Sequence, residues 1–344
     1  MGVAIGIDSH KKSLGAGTTD ELGREVAAKE FPNDPQGHKA LLAWARGQGA
    51  ERLIGIEGSG SYGAGVARFL LQAGEDVKEV PAFVAHRERR KSPSKGKSDL
   101  ADAIAIARVT ARGDGLFSPH RSETLQDLKL LSDHRDQLVR ARTRIINRTH
   151  KDLVISHPGY ERRIPKLKAK KHFDAAMALL RGDRSVRAGL IRHNIAELRR
   201  LNRQIAEVEK DIVSKVKESG TSLTKLKGIS FITAAKILGE VGAIGRVRSK
   251  AGFAMLNGTA PLEASSGSRQ RHRLNRGGNR QLNYALHMMA IARCNSDPET
   301  KTYIARRQME GKSKKEAIRC LKRHLSNLVY RQMEADLRRC DIAA

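Results

Sequence analysis

Short apolar runs with period-two alternation occupy the first third of the chain, and apolar positions three and four apart dominate the rest. Val3–Ile7, Ser13–Thr18, Glu25–Phe31, Leu53–Ile56 and Val77–Val80 read as strands, with helical stretches near Gly37–Ala45 and Tyr62–Gln72. The first three strands leave no room for helices between them and are expected to pair antiparallel. The later ones are joined through helices. Farther on, Leu128, Leu131, Leu138, Ala141 and Ile145 recur at helical spacings, as do Ile191, Ile195, Leu198, Leu201, Ile205, Val208 and Ile212. Two long helices follow from this pattern.

The strand order is that of an α/β RNase H-like fold. Three parts are expected: residues 1–115 as the sheet domain, 116–220 as a long helical, coiled-coil region, and 221–344 as a mainly α domain. Between the long helices, His157-Pro-Gly-Tyr-Glu-Arg-Arg-Ile-Pro165 and the lysines at 166, 168, 170 and 171 read as a basic loop or hairpin tip. The region is either an antiparallel spacer with a solvated tip or a dimerising coiled coil whose tip touches nucleic acid. Leu226-Lys227-Gly228-Ile229 has the form of either a helix-hairpin-helix turn, whose backbone N–H groups and Lys227 would face a phosphate, or an ordinary packed helical hairpin. Helices at Gln281–Ala292, Pro298–Met309 and Lys314–Leu337 close the chain.

Charge narrows the partner. Among 344 residues, 65 Lys and Arg stand against 37 Asp and Glu, a formal net charge of +28. That implies a polyanion, DNA or RNA. No apolar run of about 18 residues is present to span a membrane, and the N-terminus lacks the basic region of a signal peptide, so the chain reads as cytoplasmic with no membrane partner. Cys294, Cys320 and Cys340 are odd in number and outside any CxxC, which points away from zinc and disulfides and toward buried thiols.

Acids need a reason in such a chain. Asp8 and Glu57 each end an apolar run, and Asp99 and Asp102 lie three apart on one helical face, where like charges repel unless a cation sits between them. Each alone reads as a cap or turn residue. Together they suit an oxygen-ligand site for Mg²⁺ or Mn²⁺ acting on nucleic-acid phosphates. Arg87, Arg89, Arg90, Lys91, Lys95 and Lys97 precede the Asp pair in a run broken by Pro93 and Gly96, expected to be a nucleic-acid-contacting loop. A second constellation runs through Ser265-Ser266-Gly267 to Arg269, Arg271, Arg273 and Arg276. In an extended strand, Arg269, Arg271 and Arg273 would share one face toward phosphate; composition alone favours a basic, solvated loop made flexible by Ser and Gly. A serine hydroxyl needs a base or metal to become a nucleophile, and neither is visible locally. Tyr62 and Tyr284 lack a supporting Arg/His set and are read as structural.

The chain resembles the insertion-sequence transposases that join a DEDD-type RuvC-like N-terminal domain to a C-terminal serine-bearing transposase domain, described as bridge-RNA-guided recombinases. The resemblance rests on Gly6-Ile-Asp8-Ser-His-Lys11, Ile56-Glu57-Gly-Ser-Gly-Ser-Tyr62-Gly63 and Lys97-Ser-Asp99-Leu-Ala-Asp102, followed by Gly228-Ile229, Gly258-Thr-Ala-Pro261 and Ser265-Ser266-Gly267 through Gly278-Asn279-Arg280. It implies that Asp8, Glu57, Asp99 and Asp102 bind Mg²⁺ and that Ser266, with Ser265 second, attacks the scissile phosphate. It further implies target and donor DNA and a structured noncoding guide RNA as partners, and a homodimer or tetramer in which two protomers share one active site. Two other functions stay open: a RuvC-like junction nuclease using metal-activated water, and a non-catalytic nucleic-acid-binding protein.

Overall fold

The computed structural model describes residues 2–90, 98–113, 116, 123–263 and 272–343. Two compact units divide the chain, Met1–His120 and Arg121–Ala344. In the first, β1 (Val3–Ser9), β2 (Ser13–Thr19), β3 (Glu25–Pro32), β4 (Arg52–Glu57) and β5 (Val77–Val80) form one sheet in the order β3-β2-β1-β4-β5. The first three strands pair antiparallel, and β1-β4 and β4-β5 pair parallel, as the spacing of elements in the sequence requires. Helices α1 (Pro35–Gln48) and α2 (Ala64–Gln72) make the two crossovers, α3 (Ala82–Arg89) follows β5, and α4 (Asp99–Arg112) completes the unit. This is an RNase H-type α/β arrangement.

The two faces of the sheet are built differently, and the difference positions the site. Ile5, Ile7, Leu14, Ala16, Ile54 and Ile56 turn to one face and pack with α1 and α2. Alternate positions on the other face are glycines, and α4 lies directly on them. A Cβ on Gly6 would stand 2.2 Å from both the Ala103 carbonyl oxygen and the Ala107 nitrogen. A Cβ on Gly55 would lie 1.9 Å from Thr110 Oγ1, and one on Gly15 would lie 2.8 Å from the Asp99 carbonyl. Only glycine permits that approach, because any side chain would push the helix off the sheet.

In the second unit, α5 (Glu123–Ser156) and α7 (Val186–Glu218) run antiparallel. Bonds from Arg135 to Glu209, Arg142 to Asn202 and Arg148 to Asn194 mark the pairing. The segment between them is more than the basic loop expected from its lysines. It carries a 3₁₀ turn at Tyr160–Arg162 and helix α6 (Lys170–Leu179), and Tyr160, Ile164, Leu167, Phe173 and Ala176 bury against Leu153, Ile191 and Ile195. The apolar residues were spaced too irregularly along the sequence to signal this small core.

Near its base, the α5–α7 pair contributes Leu128, Val208, Ile212 and Val216 to a core shared with α8 (Phe231–Val241), α9 (Lys250–Leu256), α10 (Arg280–Ser296), α11 (Pro298–Met309) and α12 (Lys314–Ala343). A two-stranded ribbon, β6 (Pro261–Glu263) with β7 (His272–Leu274), completes the unit. Cys294 and Cys320 are half-buried, not buried as expected. Among the described residues, no helix is long and apolar enough to cross a membrane.

Candidate active site

Both strand-end acids arise from one local pattern, Ile-Gly-Ile-acid, at Ile5-Gly6-Ile7-Asp8 and Ile54-Gly55-Ile56-Glu57. Alternation sends the isoleucines into the core and leaves glycine and the acid on the face covered by α4. Asp8 and Glu57 are direct partners in the parallel β1–β4 register. After Glu57 the chain turns at Gly58, with φ +78°, and the Ser9 hydroxyl donates to the Glu57 carbonyl at 2.7 Å. Asn33 clasps the loops after both strands by donating to the carbonyls of His10 (2.8 Å) and Tyr62 (3.0 Å).

Helix α4 supplies the other pair. Its N-cap is Ser98, whose Oγ accepts from the Ala101 N–H at 3.2 Å, so Asp99 and Asp102 fall in the first turn, where the helix dipole favours negative charge. Because the glycines let α4 touch the sheet, that first turn sits over the strand ends. Asp8 and Asp102 are buried, and Asp99 is the most open of the four. Burial pushes the carboxyls of Asp8 and Glu57 above the usual range; the neighbouring acids push the same way, against His10 at Asp8 and Arg89 at Glu57.

Two bases hold the cluster together. His10 Nε2 lies 3.2 Å from Asp8 Oδ2 and 3.3 Å from Asp99 Oδ1. The Arg89 guanidinium lies 3.1 Å from Asp102 Oδ2 and 3.6 Å from Glu57 Oε2. Glu57 Oε2 is nonetheless buried with no hydrogen-bond partner. Asp8, His10 and Asp99 present ligand atoms all within 4.8 Å of one another. An orphaned buried carboxylate oxygen among acids whose charge is disfavoured is the setting a hard divalent cation would relieve, and this oxygen-rich donor set fits one.

The basic run before α4 differs from the loop expected of it. Arg87 and Arg89 lie on helix α3, Arg90 caps it, and Arg89 turns into the acids. The run continues the apolar pattern of Val84 and Ala85, which bury against Ile106 and Val109 and so extend a helix through the charges. Arg87 and Arg90 are exposed. Lys91, Lys95 and Lys97 lie outside the described residues. His10 carried no assignment in the sequence; its place two residues beyond a strand-end Asp was the available signal.

The acids of the first unit and the serine segment of the second belong to separate bodies. Ser265, Ser266, Arg269 and Arg271 lie outside the described residues. They are flanked by β6 and β7, in which Arg273 is the register partner of Leu262 and is exposed, as is Arg276 just beyond. Four asparagines fix the base of this hairpin. Asn257 donates to Ser326 Oγ at 2.8 Å, and Asn283 donates to the Asn257 carbonyl at 2.8 Å. Asn275 Oδ1 accepts from the Gly277 N–H, and Asn279 Oδ1 caps α10 by accepting from the N–H groups of Gln281 and Leu282. Gly278 passes so close to Gly258 that a Cβ would lie 2.2 Å from the Gly258 nitrogen.

At the expected helix-hairpin-helix, a 3₁₀ turn (Leu223–Lys225) precedes the Gly228 turn and α8. Gly228 packs on α10, and Lys227 is ion-paired to Asp297 at 2.9 Å. Tyr62 and Tyr284 are more than half exposed, so neither fills a core.

Comparison with known proteins now bears on this geometry. A transposase family model of the DEDD type from IS110 elements matches residues 5–158, a span that holds all four acids. A second, "Transposase IS116/IS110/IS902 family", matches residues 220–305. The chain belongs to the IS110 family of transposases. Such transposases are enzymes of DNA cleavage and transfer. This transposase is 25% identical to an uncharacterized protein of insertion element IS110 from Streptomyces coelicolor, covering 96% of this chain and 93% of that one. It is 23% identical to the pilin gene-inverting protein of Moraxella bovis, covering 87% and 86%. A solved structure of T. thermophilus RuvC in complex with a Holliday junction substrate is 19% identical, covering 34% of the transposase and 98% of that chain, with a TM-score of 0.28.

Proposed function

We propose that this transposase cuts and rejoins DNA strands through a serine nucleophile at a Mg²⁺-dependent DEDD site. The register pairing of Asp8 with Glu57 beneath the first turn of α4 is the observation that carries the metal half of this reading. When bound, a divalent cation supplies Lewis-acid polarisation of a phosphate oxygen. Asp8, Glu57, Asp99 and Asp102 would hold it, and His10 lies close enough to orient Asp8 and Asp99.

Ser266, with Ser265 as the alternative, is the proposed nucleophile. Its Oγ bonds to phosphorus as the P–O3′ bond breaks, leaving a 5′-phosphoserine link and a free 3′-hydroxyl that takes up a proton. The local sequence offers no base for this serine, which supports an active site shared between protomers of a dimer or tetramer. The acid domain, the helical arm and the serine domain act as three functional parts. Target choice falls to base pairing by a noncoding guide RNA, consistent with a basic chain in which Phe, Trp and Tyr make up 4% of the residues.

The test is to incubate the protein with its flanking noncoding RNA, cognate DNA and Mg²⁺, and to look for a protease-sensitive DNA–protein adduct. Wild type forms it, and Ser266→Ala and Asp8→Ala do not. Cleavage without any adduct replaces this reading with a junction nuclease using metal-activated water. Binding without metal-dependent cleavage leaves a nucleic-acid-binding protein.

A further inference from the structure

In the second unit, the β6–β7 ribbon, the turn after it, the end of α11 and the first half of α12 enclose a cleft of about 1290 Å³. Its walls carry Arg273, Arg276, Lys312, Arg319, Lys322 and Arg323. Glu316 is the single carboxylate among the described lining residues; its hydrogen bonds are made to Ser313, and the charges of Arg319 and Lys312 also help hold it below its usual range. Its Oε2 accepts from the Ser313 N–H (2.9 Å) and hydroxyl (2.7 Å) in the capping box that starts α12. Arg307, also on the wall, is satisfied by Glu310 at 2.7 Å. None of the six cations has a described carboxylate within 4.0 Å.

Lys322 is the most telling of them. It is buried, and its ammonium donates to the neutral Asn283 Oδ1 at 2.5 Å. Burial, with the charge of Arg319 adding to it, pushes its amine down to about 8. A buried cation among like charges costs stability unless an anion completes the site. Asn283 in turn grips Asn257, so the same network fixes both Lys322 and the base of the ribbon that flanks the serine segment.

The lining sets the class of that anion. Among the described residues no Phe, Tyr or Trp lines the cleft and His324 is its one aromatic ring, so phosphate contacts outweigh stacking. The cleft volume exceeds the roughly 300–1,000 Å³ of a small-molecule site, and its six cations outnumber Glu316 and the charges of a single phosphate together. We infer that the cleft between the β6–β7 ribbon and α11–α12 binds several consecutive phosphates of a nucleic-acid strand, reading backbone and not base. Naming that strand as the DNA or RNA of transposition rests on the function proposed above; the polyanion site itself rests on the cleft.

The experiment uses the full-length protein in chelator, so that no cleavage occurs. A fluorescent oligothymidine is titrated by anisotropy across about 50 to 200 mM salt. Arg276→Ala/Lys312→Ala/Arg319→Ala removes three cations, none of them buried, so folding should survive; a thermal melt checks this. Binding should weaken at least tenfold, and the slope of log affinity against log salt should flatten by about 2, given about 0.7 per lost contact on a single strand. Lys29→Ala/Lys39→Ala/Arg68→Ala, an equal charge loss on the first unit, should change affinity less than about twofold. A methylphosphonate strand of the same sequence should not compete.

Equal losses in the two triple variants, or competition by the uncharged strand, would overturn the inference. So would inorganic phosphate binding lost in the cleft variant while oligothymidine binding is unchanged, since that marks a small-anion site. Failure of the nucleophile assignment appears separately, as a missing adduct.

Discussion

Asp8 and Glu57 stand side by side, as direct register partners at the ends of two parallel strands, although 48 residues separate them in sequence. Burial disfavours charge on both. A carboxyl whose folded pKa is raised contributes stability at pH below its unfolded value and loses it as pH rises through that value to the folded one. At neutral pH the metal-free protein therefore bears the cost of both charges. Asp8→Asn and Glu57→Gln should raise the metal-free melting temperature by a few degrees and abolish the further rise that Mn²⁺ gives wild type. Differential scanning fluorimetry with and without Mn²⁺ reads both effects. A variant that melts lower than wild type without metal contradicts the burial argument.

Gly6→Ala tests a different cause. Its Cβ would meet the backbone of Ala103 and Ala107, so α4 must shift and carry Asp99 and Asp102 with it. Overpacking of this kind costs about 1–3 kcal/mol, occasionally more. Metal-free stability and Mn²⁺ affinity should fall together, the opposite of the Asp8→Asn pattern. Chemical denaturation alongside Mn²⁺ titration separates the two.

Arg89 holds Asp102 and Glu57 where a cation would sit. Arg89→Gln should lower metal-free stability and tighten Mn²⁺ binding several-fold, because a competing positive charge is gone. Calorimetric titration with Mn²⁺ checks this, and weaker binding would show that Arg89 supports the loaded site.

Lys322 brings a pH dependence. Its amine is charged below about 8 and neutral above. The groups around it are Arg319 and Arg323 on α12, His287 on α10, which burial and then the Lys322 charge hold below its usual range, and, lining the same cleft, Glu316, Cys320, His324, Arg273 and Arg276. Oligonucleotide affinity in chelator should decline as pH rises through that value, and Lys322→Arg should flatten the profile. An unchanged wild-type profile would mean Lys322 does not face the strand.

Phe173 fills the small core at the end of the α5–α7 arm. Phe173→Ala should cost about 3–5 kcal/mol locally and open the tip to protease between residues 157 and 185. Mn²⁺ binding by the first unit should stay as in wild type, and limited proteolysis with mass mapping reads the result.

Local pattern carried a good deal of this protein. Period-two runs placed all five strands, and the lack of space between the first three dictated their antiparallel pairing. The closing helices followed from apolar spacing, and the acids stood out because they oppose the composition of the whole chain. What the sequence left open were properties of approach. The pattern Ile-Gly-Ile-acid occurs twice, yet only the packed sheet shows why glycine sits two positions before each acid. A missing Cβ there lets α4 lie against bare backbone and brings four like charges together. Arg89 looked like one more cation in a basic run. Its turn toward the acids depends on α3 packing against α4 through Val84, Ala85, Ile106 and Val109.

The same division holds in the second unit. Composition by itself determined that the chain meets a polyanion, since net charge sums over residues whatever their placement. Tertiary structure decided where. Lys312, Arg319, Lys322 and Arg323 look no different in sequence from the lysines and arginines around them. Folding turned the Glu316 hydrogen bonds to a helix cap and buried Lys322 beside a neutral amide, and those two events leave a cleft with a large excess of positive charge.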